Sequence, residues 1–529
     1  MSKKIILDHL KRHSESSLWA YGRDFYDKKG VQAWAETLPF YITTNPFIAN
    51  RYADLVLSFV RDWIKKHPDS IHHPFYVLEL GAGHGRFGFY VIKRIKELRD
   101  HLGLHNVHIQ YLMSDLSINN IRFWEQHPAL APYFDAGMLD VIEYDLENDT
   151  PLYLCHQQKL FSAENLTNPM VVFANYVFDS ISQDMFSVED NKMYEVLVSL
   201  SADDSEIRKG IPKNLQDIDI QYQSKEISDE YYLEPGFNHV LQDYKSSLKK
   251  SSFMFPVSTL RAINYLLEQS HHQLLMISTD KGFTSIDEQD FLSHQNPVFH
   301  GSFSGTFSMM VNFDAIGRYF KYLGGDCIYQ EKHPGIKTVI YGMGFQFKEM
   351  KELGLAIYQH VQCFSPNNYF DLYVLSSKNF ETYSLEAIAS LMAFSSWDPH
   401  LFQMIKKRFF DLIVQVPSSL NEYFARHVQD IRDNFYALPS DADLIFELGF
   451  LLYKIGRYSE AIEYFIESER LYGSNYNTVY NQALCEYALN LYPKAILHLK
   501  KALKYNPDSE PAKNLLNELK EKISSMSYI

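Results

Sequence analysis

The sequence predicts an α/β protein in which a Rossmann-like, doubly wound and mostly parallel sheet is followed by an all-α solenoid. Three observations lead to this prediction. Short apolar runs alternate with helical patterns over about 71–350, a glycine-rich turn joins the first run to a helix, and a helical pattern repeats near the end of the chain. Strands that alternate with helices are typical of a parallel sheet covered on both faces.

Apolar runs of strand length are expected to form this sheet. They are short, and turns or polar residues bound them. In chain order they cover 75–80, 108–115, 138–145, 170–175, 274–279 and 337–345. Helical periodicity lies between them, for example over 87–98 and 118–125. A charged stretch at about 201–252 interrupts the alternation, and we expect it to be an insertion or lid.

The 529 residues therefore divide into four predicted regions. Residues 1–70 have amphipathic helical patterns and should form an N-terminal helical segment. The sheet domain follows over 71–350, and residues 351–440 are expected to be a helical linker or degenerate repeats. Residues 441–529 should form repeats closed by a capping helix, because a solenoid must cover its open end.

Composition and charge exclude several classes of function. The formal net charge is −15 without a long basic stripe, so no nucleic-acid partner is expected. No apolar run approaches the roughly 18 residues of a membrane-spanning helix, so no membrane association is expected. The 4 cysteines lack CxxC spacing, and the histidines lack ligand spacing. We expect no metal site, and a reducing, cytoplasmic location.

An internal repeat marks the C-terminal region. Its period is roughly 34 residues, the period of tetratricopeptide repeats, which bind partner proteins. An ordinary helical bundle is the alternative. The repeat consists of Leu448-Gly449, Ala461 and Phe465, matched by Gln482-Ala483, Ala495 and Leu499.

The glycine-rich turn is the segment with most chemical content. Gly81, Gly83 and Gly85 follow a predicted strand and open a predicted helix, the context that gives a glycine motif meaning. A dinucleotide fingerprint would need its third glycine at Arg86. Glu79 precedes the turn and would favour a cation over a pyrophosphate. S-adenosylmethionine carries a cationic sulfonium, so it is the expected cofactor.

Acids at the ends of the next two predicted strands extend this cofactor site. Asp115 ends the second strand, where a carboxylate can accept hydrogen bonds from both ribose hydroxyls. A helix N-cap is the alternative role for Asp115. Asp145 ends the third strand and could meet the adenine amino group, although it could equally belong to a solvated loop.

These residues resemble the class I S-adenosylmethionine-dependent methyltransferases. Within that class the chain resembles the MidA-like family, which includes a mitochondrial protein-arginine methyltransferase that assists respiratory complex I assembly. The resemblance covers roughly residues 20–345 and implies a methyltransferase sheet. Its motifs are Glu79-Leu80-Gly81-Ala82-Gly83-His84-Gly85, Asp115-Leu116-Ser117, Ala174–Ile181, Asp280-Lys281-Gly282, Thr43-Thr44-Asn45-Pro46 and Val311-Asn312-Phe313.

Two departures from the family pattern concern the methyl acceptor. Tyr176 stands where the family has a glutamate, and Lys281 where it has a tyrosine. A carboxylate is the natural partner of a guanidinium group, and a lysine would repel one. An arginine acceptor is therefore not implied. Asn175 and Asp179 do match the family.

We expect a methyltransferase that acts on a protein recruited by the C-terminal repeats. Asp179 is predicted to orient the acceptor or take its proton, unless it is only a helix cap, and Asn175 and Tyr176 would lie beside the acceptor. A non-catalytic scaffold is the alternative function. A nucleotide-dependent oxidoreductase is a third hypothesis, which the GxGxG spacing disfavours.

Overall fold

The computed structural model describes residues 4–33, 41–148, 150–161, 163–203, 207–208, 211–212, 217–289, 300–303, 306–330, 335–413 and 418–526. The longer strands are β1 (Lys4–Lys11), β2 (Phe75–Leu80), β3 (Ile109–Asp115), β4 (Leu139–Glu143), β5 (Met170–Asn175), β6 (Asp184–Glu189), β7 (Lys192–Asp203), β8 (Ile218–Glu226), β9 (Lys250–Phe255), β10 (Leu274–Asp280), β11 (Asp326–Tyr329) and β12 (Lys337–Met343). Shorter strands cover Tyr153–Leu154, Lys159–Leu160, Ile207–Arg208, Ile211–Pro212, Gly282–Phe283, His300–Phe303, Thr306–Ser308 and Val311–Asn312.

The chain divides into two compact units, Met1–Asp371 and Leu372–Ile529. The helices of the first unit are α1 (Ser17–Lys29), α2 (Pro46–Lys66), α3 (Arg86–His101), α4 (Ile118–Glu125), α5 (Ala131–Asp135), α6 (Pro235–Ser247), α7 (Val257–Gln269), α8 (Ile286–Gln289), α9 (Phe313–Tyr322) and α10 (Lys351–Ile357). Helix α11 (Pro366–Ser377) includes the boundary between the units. The helices beyond it are α12 (Leu385–Phe394), α13 (Pro399–Ile413), α14 (Ser418–Asp433), α15 (Leu444–Lys454), α16 (Tyr458–Tyr472), α17 (Tyr476–Ala488), α18 (Tyr492–Tyr505) and α19 (Glu510–Met526).

The main sheet of the first unit has seven strands in the order β11-β12-β10-β5-β2-β3-β4 within the described residues. Strands β4, β3, β2, β5 and β10 run parallel, whereas β12 is antiparallel to both β10 and β11. The strand order reverses between β2 and β5. Their carboxyl ends therefore border the crevice where doubly wound sheets bind ligands. This topology confirms the predicted α/β class.

Helices cover both faces of the main sheet. On one face Tyr52 of α2 lies edge-on against Phe173 of β5, with ring centroids 5.1 Å apart. On the other face Leu78 of β2 shares a core with Leu260 of α7 and Phe313 of α9. Every residue of β2 is buried, as expected of a central strand covered on both sides. Successive residues of β2 therefore point to different helical layers.

A second, antiparallel sheet corrects two sequence predictions. Within the predicted helical segment 1–70, Lys4–Lys11 is strand β1, because its backbone pairs with Val198–Asp203 of β7. Within the predicted insertion 201–252, Ile218–Glu226 is strand β8, which also pairs with β7. The apolar residues of β8 alternate with polar ones, as in a strand that has one face towards a core and the other towards solvent. The charged stretch therefore extends a sheet, and part of it lies outside the described residues.

The second unit contains successive helical hairpins. Gly456 and Asn490 are 34 positions apart, and both have left-handed backbone, with φ of 83° and 60°. Each turns the chain between two helices, α15 and α16 or α17 and α18. A Cβ on Gly449 would lie 2.9 Å from Cε1 of Phe465, so helices α15 and α16 pack closely. The matched positions of the sequence repeat are buried. No helix among the described residues has the length and apolar character needed to cross a membrane.

Candidate functional site at the switch point

The turn between β2 and α3 is built from three left-handed glycines. Gly81, Gly83 and Gly85 have φ of +59°, +57° and +81°, values that residues with a side chain rarely adopt. A Cβ on Gly81 would lie 2.8 Å from Cγ2 of Val177, so the segment after β5 approaches the turn closely. Gly85 is the N-cap of α3, so the turn leads to the positive end of a helix dipole.

Asp115, the last residue of β3, holds this turn from the neighbouring strand. The N–H of Gly83 donates to its Oδ2, and the N–H of Ser117 donates to its Oδ1, each over 2.9 Å. Burial raises the pKa of Asp115. The bond to Ser117 orients the chain where it enters α4, but the N-cap of α4 is Ser117 and not Asp115. The bond to Gly83 adds a direct link to the glycine turn.

Glu79 lies below the turn rather than in an open crevice. Its side chain packs so closely against α3 that a Cβ on Gly88 would lie 2.6 Å from its Oε2. The hydroxyl of Tyr111 donates to that same oxygen over 2.9 Å. Burial raises the pKa of Glu79 to about 8. At pH 7 the group is therefore mostly neutral, so it is not the standing anion that the sequence suggested.

Asp145 is occupied by an ion pair with the N-terminal helix. Arg23 of α1 donates to both carboxylate oxygens of Asp145 and to Glu147. The N–H of Glu147 also donates to Oδ1 of Asp145 over 3.0 Å. Although burial opposes it, hydrogen bonding from Arg23 lowers the pKa of Asp145. Asp145 lies in the loop that follows β4, two residues beyond the end of the strand, and its partly exposed side chain is paired with Arg23.

Helix α1 crosses the carboxyl ends of β3, β4 and β5. The carbonyl oxygen of Asp27 accepts from Asn119 Nδ2 over 3.3 Å and from Ser117 Oγ over 3.5 Å. The hydroxyl of Tyr26 lies 3.5 Å from Oγ of Ser180. Together with the Arg23 pairs, these contacts place α1 over the edge of the sheet where the crevice opens.

Asn175 ends β5 and is held by a buried tyrosine. The hydroxyl of Tyr52 donates to Oδ1 of Asn175 over 3.0 Å and lies 2.6 Å from Oγ1 of Thr279. Burial raises the pKa of Tyr52 well above its ordinary value, so its proton stays in place. Nδ2 of Asn175 is buried and has no hydrogen-bond partner in the structure.

Tyr176 has an unusual backbone conformation for a residue with a large side chain. Its φ is 54°, in the left-handed region. Its N–H donates to the carbonyl oxygen of Thr279 over 3.0 Å, which fixes the turn after β5. Burial, with the acids Asp280 and Asp179 nearby, raises the pKa of Tyr176 well above its ordinary value. The phenol is therefore a neutral hydrogen-bonding group here.

Asp179 and Asp280 form a buried carboxyl pair at the ends of β5 and β10. Asp179 is 4% exposed and Asp280 is 0% exposed. Oδ2 of Asp280 accepts from the N–H of Asp179 over 3.1 Å, and Oδ1 accepts from the N–H of Lys281 over 2.8 Å. Burial raises both pKa values, and the proximity of Asp179 raises that of Asp280 further. Burial and the neighbouring carboxyl therefore favour the protonated form of Asp280.

The structure therefore gathers most of the predicted site residues around one crevice. The glycine turn, Asp115, Asn175, Tyr176 and Asp179 lie at the carboxyl ends of β2, β3 and β5, with Glu79 buried below and Asp145 tied to α1.

Sequence reasoning assigned no role to three residues that the structure places here. Asp280 follows the predicted strand 274–279 and belongs to the Asp280-Lys281-Gly282 motif, but nothing in the sequence indicated that it pairs with Asp179. In the structure Asp280 ends β10. Arg23 and Tyr52 reach the site from amphipathic helices, and nothing in their local sequence distinguishes them from other helical residues.

No protein-family model and no curated protein matches the chain. Solved structures with similarity include a COG1565 superfamily member from Burkholderia thailandensis, considered a methyltransferase and bound to S-adenosyl-homocysteine. It shares 15% identity over 63% of this chain and 88% of its own, with a TM-score of 0.39. A second structure, the native form of a COG1565 superfamily protein from Burkholderia thailandensis, shares 14% identity over 62% and 94%, with a TM-score of 0.36. The DhpI-SAM-HEP complex shares 10% identity over 61% and 97%, with a TM-score of 0.29.

Proposed function

We propose that the first unit is an S-adenosylmethionine-dependent methyltransferase. The observation that carries this proposal is the turn of three left-handed glycines at the switch point, tied to Asp115 from the adjacent strand. A turn without side chains lets a ligand approach the backbone closely. The motifs shared with MidA-like methyltransferases support the same cofactor.

The residues of the crevice fit this cofactor in two ways. Asp115 accepts backbone hydrogen bonds from Gly83 and Ser117, and hydrogen bonding from Asn120 and Leu116 also acts on it. A ribose hydroxyl that donates to Asp115 would share the carboxylate with these groups. Nδ2 of Asn175 is a buried donor that lacks a partner, and a ligand oxygen could satisfy it. The adenine contact proposed for Asp145 would require its pair with Arg23 to open.

The cofactor would supply an activated methyl group, and the chain would supply orientation and a route for a proton. The glycine turn and Asp115 would fix the donor, because methyl transfer depends mainly on proximity and alignment. The Asp179–Asp280 pair would accept the proton that the acceptor loses. A buried carboxyl pair with raised pKa values suits such a base near neutral pH.

The surroundings of the acid pair favour a neutral acceptor over a guanidinium group. The positive charge of Lys281 acts on both carboxyls and lowers their pKa values against the effect of burial. A second cation would be repelled by Lys281. We infer that a protein substrate presents the acceptor, and that the helical hairpins, as tetratricopeptide repeats, recruit it.

A non-catalytic scaffold is the second candidate function, in which the hairpins bind a partner and the sheet unit does not catalyse. The replacement of family residues by Tyr176 and Lys281 favours it. The free cysteines among the described residues support a reducing compartment for either function, and we propose the cytoplasm.

Calorimetric titration with S-adenosyl-homocysteine tests the proposed cofactor directly. Binding with one site per chain is expected, and no heat together with no thermal shift would contradict the proposal. Transfer of label from methyl-labelled S-adenosylmethionine to protein in a lysate then separates the two functions. If the protein is a non-catalytic scaffold, no labelled product should form, whether or not the protein binds S-adenosyl-homocysteine.

Replacement of Arg23 by glutamine is expected to release S-adenosyl-homocysteine about 10-fold faster. The change removes the ion pairs that hold α1 against Asp145 and Glu147, and part-buried pairs of this kind contribute about 1 kcal/mol. Stopped-flow fluorescence of the dissociating complex would measure the rate. Lys28→Gln is the control, since Lys28 pairs along α1 with Asp24. Equal rates for the two variants would show that α1 does not retain the ligand.

A further inference from the structure

A chain of hydroxyl groups contacts the Asn175 amide. The hydroxyl of Tyr52 donates its single proton to Oδ1 of Asn175. With that direction, Oγ1 of Thr279, 2.6 Å from the Tyr52 oxygen, donates to Tyr52. Oγ1 of Thr338, 2.9 Å further on, in turn donates to Thr279. This arrangement of protons accompanies an amide whose oxygen faces Tyr52.

The nitrogen of the same amide is left for a ligand. Nδ2 of Asn175 is buried without a partner, and a buried donor that stays unpaired destabilises the folded state. Other buried side-chain atoms of the described residues also lack a partner, so it is the position of this donor beside the glycine turn that points to a ligand. The end of β5 lies beside the glycine turn, because Ala174 is in register with Leu80. Asn175 therefore lies one residue from the point where β2 enters that turn.

The position of Asn175 along the crevice indicates which part of the ligand it meets. Asp115, expected at the ribose, lies on the β3 side of β2, whereas Asn175 lies on the β5 side. A ligand that spans the switch point would place its amino-acid part towards β5. Glu79 points to the same sheet face as Phe173 and Asn175. Its pKa of about 8 leaves it mostly neutral at pH 7, so it does not repel a carboxylate.

We propose that Tyr52 is a positioning residue, which holds Asn175 so that Nδ2 donates a hydrogen bond to the α-carboxylate of the cofactor's amino-acid part. This inference rests on the proposed function, since it assumes that the cofactor is S-adenosylmethionine. A hydrogen bond to an ionised oxygen is stronger than one between neutral groups. The contact would also relieve the unpaired donor.

Two ligands that differ only beyond the sulfur test this inference by calorimetry. S-adenosyl-homocysteine carries the α-carboxylate, whereas 5′-methylthioadenosine lacks the amino-acid part. Asn175→Asp is expected to weaken binding of S-adenosyl-homocysteine about 30-fold, because a second carboxylate replaces the donor. Tyr52→Phe keeps the ring contacts with Phe87 and Phe173 and is expected to weaken it about 5-fold. Binding of 5′-methylthioadenosine should change less than about 2-fold in both variants, since no contact to it is lost.

The control is Tyr341→Phe, which removes another buried hydroxyl, one that donates to the carbonyl oxygen of Phe313 on the other face of the sheet. It should leave the ratio of the two affinities unchanged. An equal loss for both ligands in the Tyr52 and Asn175 variants would overturn the inference and indicate a merely structural role. Unchanged or tighter binding of S-adenosyl-homocysteine by Asn175→Asp would also overturn it, because the amide oxygen would then face the ligand. Failure of the unaltered protein to bind either ligand would instead contradict the proposed function.

Discussion

Replacing Asp115 with asparagine is expected to weaken binding of S-adenosyl-homocysteine by at least about 100-fold. Both carboxylate oxygens accept backbone hydrogen bonds, one from Gly83 in the turn and one from Ser117. An asparagine has only one oxygen, so its NH₂ group must face one of these N–H donors. Each buried donor left unpaired costs about 1–3 kcal/mol, and the glycine turn would move away from the geometry that the ligand needs.

Calorimetry of the full chain measures this effect, and Asp62→Asn is a control. Asp62 is also a buried carboxylate that accepts from two backbone N–H groups, but Glu352 and Leu353 both donate to its Oδ2, so an asparagine can keep both bonds through its single oxygen. It lies on α2 and supports the start of α10. The control should leave affinity unchanged. If both variants lost affinity equally, Asp115 would act through general stability alone.

Replacing Glu79 with glutamine is expected to remove a loss of stability that the unaltered protein undergoes between pH 5 and pH 8. Relative to the unaltered protein, the free energy of unfolding of the variant should therefore be higher at pH 8 than at pH 5. Burial raises the pKa of Glu79 from its ordinary 4.5 to about 8, so the folded state binds this proton more tightly than the unfolded state. Its contribution to stability is complete below about pH 4.5 and is lost as pH rises through about 8. One pKa unit corresponds to about 1.4 kcal/mol, so the loss between pH 5 and pH 8 is about 3 kcal/mol.

The glutamine variant should not show this loss, because its side chain has no proton to release. Urea unfolding at pH 5 and pH 8 would measure the free energy of unfolding of both proteins. Hydrogen exchange of the amides in β2 and β3 would show that the measured transition is the unfolding of the first unit. Glu195→Gln is the control. Glu195 also accepts from a tyrosine, Tyr231, but it pairs with Arg12, so this change should destabilise the protein at both pH values. Parallel pH profiles for the Glu79 variant and the unaltered protein would refute the prediction.

The main sheet could be predicted because its strands are buried on both faces and therefore stand out as apolar runs. Phe75–Leu80 and Met170–Asn175 have the predicted bounds. The second sheet was missed because its strands have one solvated face, and Ile218–Glu226 reads as a charged stretch. Strand Lys4–Lys11 is defined by pairing with β7, almost 200 residues away in sequence. Contacts between such distant segments leave no local pattern.

The candidate site could be predicted where a functional side chain belongs to the last residue of a strand. Asp115 and Asn175 are such residues. The glycine turn could be predicted from the spacing of its glycines and from its place between a strand and a helix. The ionisation state of Glu79 was not predictable, because it depends on the packing of α3 and on Tyr111. The pair between Arg23 and Asp145 was missed for a similar reason, since α1 meets β4 only in the folded chain.

The backbone of Tyr176 makes the position of its ring dependent on a neighbouring strand. The left-handed conformation with φ of 54° costs a residue with a Cβ about 1 kcal/mol, a cost that glycine avoids. The hydrogen bond from the Tyr176 N–H to the carbonyl oxygen of Thr279 helps to hold this conformation. Any movement of the end of β10 would therefore shift the phenol relative to Asp179 and Asp280.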